Sequence, residues 1–202
     1  MNFFFPRYLS VLFLLSFVTP PVMAEDLLPY TYELEACEFA ISLPSEPVIT
    51  NQCDADGGRC YDQLTYTNVF DINSTVRFKV ICNAIDPTVI ESYSGDIMQA
   101  TLKAMTKRAV VTTYDVSFEE KERYKYAGLV GEGQTGALPT LYVAQLWIGE
   151  RSAFTVEADL IGQAAKAPDE MFGQILKSIH FKDDKMVDTP PADTDSLDTT
   201  TE

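Results

Sequence analysis

Four cysteines within the segment 37–82 constrain the fold of this chain more than any other feature. They are Cys37, Cys53, Cys60 and Cys82, and four cysteines allow three pairings. Cys37 and Cys82 each belong to an alternating apolar pattern typical of a strand, so both are expected on apolar faces that line one core. Cys53 and Cys60 bracket a short, glycine-containing loop that can close easily. The pairing favoured by these patterns is Cys37–Cys82 and Cys53–Cys60.

The first 24 residues have the pattern of a secretory signal peptide. Arg7 precedes an apolar run at 8–18, and two prolines and Val22-Met23-Ala24 follow it. The run is too short to span a bilayer core of about 30 Å. Exported proteins meet oxidising conditions, in which an even number of cysteines favours disulfides. We therefore expect a periplasmic or secreted protein with no membrane anchor after signal cleavage, because Cys37 lies too far from the apolar run for lipid attachment.

Composition predicts one globular domain at 25–182 followed by an acidic tail. The chain is 46% hydrophobic, which is ordinary for a protein with a core. Its formal net charge of −15 argues against nucleic acid as a partner, because phosphates require lysine and arginine. The segment 183–202 has seven acidic residues against Lys185 and almost no apolar content. Such a segment cannot bury enough surface to offset its ordering entropy, so we expect it to be disordered.

Apolar periodicity predicts an α+β fold, an antiparallel sheet of about six or seven strands flanked by helices in an α/β/α sandwich. Residues 25–31 are expected to form a short leader, Gly95 to interrupt the first helical segment, and Asp86-Pro87 to start a helix. His180 is expected at the end of the last helix. The predicted strands are 35–43, 62–71, 75–83, 110–120, 122–131, 141–148 and 152–160, and the predicted helices are 97–108 and 168–179.

This order of elements resembles the PsbP-like fold family, which includes a photosystem II subunit, a Ran-binding eukaryotic branch and exported bacterial proteins. That family opens on an F-x-I-x-x-P strand and ends on a helix with a hydrophobic-x-S-I-x-F signature. The matching segments here are Phe39-Ala40-Ile41-Ser42-Leu43-Pro44, 147–149, 154–158 and 171–181. The resemblance covers most of 37–182, although the loop between Cys53 and Cys60 is not a family feature. It implies a non-enzymatic protein that binds and stabilises protein partners.

A glycine-rich segment matches G-x-G-x-x-G at Gly131, Gly133 and Gly136. A dinucleotide fingerprint must open a helix whose N-terminus meets the pyrophosphate. Here the segment leads into another strand, so it is interpreted as a mobile loop between strands and a candidate partner-contact site. No cofactor is expected.

Asp54 and Asp56 begin a stretch similar to a calcium loop. The twelfth position of that loop is Thr65 rather than a glutamate, and strands flank it, so these residues are weak candidate metal ligands and a plain turn is the alternative. His180 is the only histidine, and no Gly-x-Ser-x-Gly accompanies it. We therefore expect no enzymatic activity.

Tyr124 and Tyr126 lie in an aromatic-rich strand region. Tyrosine is enriched at binding hot spots, although packing on the sheet is the alternative explanation. The sequence thus favours an exported, non-catalytic protein that binds or helps assemble an envelope protein. The alternatives are a small-ligand-binding protein with a cleft between sheet and helix, and an unrecognised hydrolase.

Overall fold

The computed structural model describes residues 28–53, 58, 60–106 and 111–182. The signal peptide, the acidic tail, Asp54 and Asp56 lie outside these residues. The helices are α1 (Gly95–Thr106) and α2 (Lys166–Lys177), preceded by a short 3-10 helix (Pro87–Ser92). The strands are β1 (Tyr30–Tyr32), β2 (Phe39–Leu43), β3 (Val48–Cys53), β4 (Cys60–Phe70), β5 (Ser74–Ala84), β6 (Val111–Glu120), β7 (Lys125–Thr135), β8 (Leu138–Ile148), β9 (Ser152–Gly162) and β10 (His180–Phe181).

A seven-stranded antiparallel sheet in the order β3-β4-β5-β9-β8-β7-β6 forms the centre of the fold. The predicted hairpin is present as β4–β5, and the predicted meander is present as β6 to β9. A second sheet of three strands has the order β1-β2-β10. The α+β class and the antiparallel sheet are thus as predicted, and the small sheet is an addition.

The two faces of the large sheet carry separate cores because side chains alternate along each strand. On β8, Tyr142 and Ala144 pack with Met98 and Leu102 of α1. Val143 lies on the opposite face, in the core that contains α2 and the small sheet. We call these two surfaces the α1 face and the α2 face. The helices therefore cover opposite faces, as the sandwich predicted from the sequence requires.

A buried carboxylate ties the small sheet to the β8–β9 turn. Glu38 Oε2 accepts hydrogen bonds from the backbone N–H groups of Arg151 and Ser152, at 2.8 and 2.9 Å, and from the Ser152 hydroxyl at 3.0 Å. A Cβ at Gly149 would overlap this carboxylate, so the turn depends on glycine at that position. The carboxylate thus replaces water as the acceptor for the N–H groups of a tight turn.

Several local predictions were wrong. The expected leader contributes β1 from Tyr30 onward, and Gly95 begins α1 rather than interrupting it. The last helix ends at Lys177, and His180 opens β10, which pairs with β2. β3 was not predicted, because every residue in it is exposed and no apolar alternation marks it. The β1 and β10 strands contain three and two residues, too few to show a period.

Candidate functional site

Strand β3 forms one open edge of the large sheet, and all six of its residues are exposed. Val48 is 65% exposed and Ile49 is 47% exposed, and the two side chains point to opposite faces. No residue of the strand is charged. Natural edge strands are commonly protected by charges, proline or bulges, which discourage pairing with another chain. β3 has none of these within its length, so it can accept a further strand.

The other edge strand, β6, is protected in the expected ways. A register shift between Val111 and Thr113 interrupts its pairing with β7. Asp115, Glu119 and Glu120 place three acidic residues along the strand. A bulge bends a strand, and charges make pairing with a second chain costly. β3 is therefore the more receptive edge of this sheet.

The register with β4 shows which backbone groups of β3 point outward. Cys53 lies opposite Cys60 with a Cα–Cα distance of 4.0 Å, the short spacing of a non-hydrogen-bonded antiparallel pair. Such pairs alternate along the ladder, so Asn51 and Ile49 also belong to non-hydrogen-bonded pairs. Their N–H and C=O groups are directed away from β4. β3 thus offers a regular set of outward backbone donors and acceptors that pair with no other described strand.

Two disulfides hold this part of the fold, with the pairing favoured by the sequence. Cys53–Cys60 joins β3 to β4 at the loop end of the hairpin that they form. Cys37–Cys82 joins the segment before β2 to β5 across a sequence separation of 45 residues. The first bridge limits fraying of the edge strand, and the second fixes the small sheet against the large one. The exposed edge is consequently held in a defined register.

The structure separates the two groups of residues singled out as binding candidates. Gly131 and Gly133 lie within β7, and only Gly136 occupies the turn to β8. The predicted loop at 131–136 is therefore wrong, because strand pairing with β8 continues to Thr135. Gly136 has φ of +63° at the first position of a two-residue hairpin turn, where a type II′ turn favours glycine. Tyr126 lies toward the other end of β7, about 23 Å from Gly133 at 3.3 Å per residue.

Tyr124 and Tyr126 belong to an aromatic cluster on the α2 face. The Tyr126 ring lies 4.5 Å from that of Trp147, and the Tyr124 ring lies 5.7 Å from that of Phe181. The Arg123 guanidinium stands 4.6 Å from the centre of the Phe181 ring, a cation–π arrangement. Burial raises the pKa of Tyr126, and the nearby negative charge of Glu119 adds to this. Tyr124 and Tyr126 thus pack within this aromatic cluster, and each ring is also partly exposed to solvent.

A polar cleft of about 390 Å³ lies on the α1 face, where β5, β9 and β8 extend beyond the helix. Arg77 Nε and Nη2 donate to Asp159 Oδ2 at 2.9 and 2.6 Å. The buried Tyr142 hydroxyl donates to Glu157 Oε2 at 3.0 Å. Lys79 lies opposite Glu157 in register but forms no ion pair with any residue that the structure describes. Charged side chains of both signs line the cleft, and Gly133 and Gly136 form part of its wall.

No helix at 28–53, 60–106 or 111–182 is long and apolar enough to cross a membrane. No group of three or more histidine, cysteine, aspartate or glutamate side chains in the same part of the chain could hold a metal ion. The predicted calcium ligands Asp54 and Asp56 fall outside it.

No protein-family model matches the chain, and no curated protein matches it. Among solved structures, it is similar to the Ran-binding protein Mog1p of Saccharomyces cerevisiae, with 11% identity and a TM-score of 0.37 over 75% of this chain and 94% of that chain. It is also similar to a Mog1 point mutant, with 11% identity and a TM-score of 0.36 over 75% of this chain and 95% of that chain.

Proposed function

We propose that this chain is an exported, non-catalytic protein that binds a protein partner of the cell envelope by adding a partner strand to β3. The observation that supports this most is the exposed, uncharged β3 edge, which contrasts with the protected β6 strand at the opposite edge of the sheet. In strand addition, backbone hydrogen bonds supply affinity and alternate side-chain contacts supply specificity. Val48 and Ile49 provide an apolar contact on each face of the added strand.

Charge favours a different protein over a second copy of this chain as the partner. Two copies would bring together two chains of formal net charge −15, which repel one another at long range. An extended segment that is neutral or basic avoids this cost and gains attraction. The partner strand is therefore expected to be apolar on alternate residues and to carry lysine or arginine in its flanks.

Location and fold family belong to the same proposal. The two disulfides support an oxidising compartment, and the signal-like segment at 1–24 supports export. The PsbP-like fold is supported by the motifs at 39–44 and 171–181 and by the order of strands and helices. That resemblance favours partner binding over catalysis.

The test is affinity capture from the native envelope with wild-type, Asn51→Pro and Asn51→Ala chains. Proline at 51 removes an outward N–H without removing a β3–β4 backbone hydrogen bond. Both variants lose the Asn51–Asp62 side-chain hydrogen bond, so alanine is the matched control. We expect a partner to be captured by wild type and Asn51→Ala and at least tenfold less by Asn51→Pro.

A second variant covers the case in which proline disturbs the strand. Ile49→Lys leaves the backbone unchanged but places a charge on the exposed edge, the device by which natural edges resist pairing. Melting curves of all variants establish that the fold is intact. Equal capture of the same partner by the wild type, the folded proline variant and Ile49→Lys would show that β3 is not the binding edge.

A further inference from the structure

A second cleft, of about 570 Å³, lies between α2 and the β7–β8 end of the large sheet. Its floor is apolar: Leu141 and Leu160 come from the sheet, and Phe172 comes from α2. Pockets that hold small organic molecules have volumes of roughly 300–1,000 Å³ and mostly apolar linings. The cleft is thus large enough for such a molecule, and it is separate from the β3 edge.

Gly173 keeps this cleft open. It lies within α2 and lines the cleft, and a Cβ added there meets no atom within 4 Å. Its backbone does not have the positive φ that requires glycine. Glycine is also disfavoured relative to alanine inside a helix. Neither backbone conformation nor packing explains a glycine at this position, whereas an open cleft does.

The rim of the cleft is acidic. Glu132 on β7 and Asp169 on α2 both line it, and both are exposed. Neither carboxylate forms an ion pair with any residue in the described part of the chain. Two carboxylates that have no ion-pair partner among the described residues, beside an apolar floor, favour a cation with an apolar body. The acidic segment 183–202 of this chain has the wrong sign of charge to fill the cleft.

We propose that this cleft binds a small molecule with an apolar body and a cationic amine. The apolar body contacts Leu141, Leu160 and Phe172, and the amine lies beside Glu132 and Asp169. The site does not depend on the proposed partner binding by β3. Asn51→Pro is consequently expected to leave ligand binding unchanged, which separates failure of one proposal from failure of the other.

The test is calorimetry of the full disulfide-bonded chain with three probes of nearly equal size: 4-phenylbutylamine, 4-phenylbutanol and 4-phenylbutyrate. The amine is expected to bind at least fivefold more tightly than the alcohol, and the carboxylate is expected to bind weakest. Changing Glu132→Gln together with Asp169→Asn should reduce affinity for the amine to that for the alcohol. No binding of the amine at millimolar concentration, or equal affinity for the amine and the alcohol, would overturn the proposal.

Filling the cleft provides the second arm of the test. Gly173→Leu is expected to weaken amine binding at least tenfold, and Gly173→Ala to weaken it less while raising Tm by roughly 2–4 °C. Ala167→Leu is the matched control, since it adds three carbon atoms to an exposed position of α2 that does not line the cleft. Binding by Gly173→Leu that equals binding by Ala167→Leu contradicts the assigned site.

Discussion

Removing the two disulfides one at a time should produce unequal losses of stability. Cys37–Cys82 spans 45 residues and Cys53–Cys60 spans 7. A crosslink lowers the conformational entropy of the unfolded chain, and this effect grows with the logarithm of the loop length. The chain-entropy relation gives a contribution of about 4.0 kcal/mol for the longer loop and about 2.4 kcal/mol for the shorter one.

Burial should widen this difference. Cys37 belongs to the core on the α2 face and is 3% exposed, so Cys37→Ala also removes packing there. Cys53 is exposed, and Cys53→Ala removes little packing. The double variant Cys37→Ala/Cys82→Ala should therefore lose at least about 1.6 kcal/mol more than Cys53→Ala/Cys60→Ala, the difference between the two loop-entropy values.

Urea unfolding of both double variants, followed by circular dichroism, measures this difference. The variant without the longer crosslink should also have a larger m-value, because its unfolded chain exposes more surface. Alanine in both pairs keeps the substitution matched. Equal losses of unfolding free energy, or a larger loss from removing Cys53–Cys60, would refute the reasoning from loop length and burial.

Three further predictions concern single aromatic environments. Tyr32→Phe should leave the unfolding free energy unchanged or raise it by up to about 1 kcal/mol, since the buried Tyr32 hydroxyl has no hydrogen-bond partner among the described residues. A clear loss of free energy in urea unfolding would contradict this. Gly128→Ala should change the fluorescence of the single tryptophan, Trp147, because a Cβ there overlaps the Tyr126 hydroxyl and moves the ring that packs against Trp147. An unchanged spectrum would argue against that packing. Burial raises the pKa of Tyr32 and Tyr126 above the ordinary value of 10.0, so the folded state holds these protons more tightly than the unfolded state. Stability should therefore be insensitive to these groups below pH about 10 and fall above it, and ultraviolet titration of phenolate should show delayed ionisation that disappears in urea.

The sequence predicted the elements in which apolar residues repeat with a clear period. Val76, Phe78 and Val80 alternate along β5, and all three are buried on the α2 face. The same alternation places Arg77 and Lys79 on the opposite face, so the charged side of the polar cleft was implied by the pattern. The other residues that line this cleft come from β4, β6, β7, β8 and β9. Their proximity depends on the strand order, which a single sequence does not specify.

The edge strand β3 could not be predicted from the sequence, for a different reason. β3 is paired on one side and solvated on both faces, so its sequence carries no periodic burial signal. The prediction of a loop at 131–136 was wrong because β7 pairs with a strand on each side. This pairing can offset the low strand propensity of Gly131 and Gly133. In both cases, pairing with neighbouring strands determines a local conformation that the strand propensity of the residues does not specify.

Site-specific photocrosslinking in the native host tests the central claim most directly. A photoreactive residue at Ile49 on β3 is compared with one at Ser117 on β6, since both positions are exposed and lie on edge strands. The proposal predicts a discrete protein adduct from position 49 and none from position 117. A discrete adduct from position 117 with none from position 49 would contradict partner binding at β3.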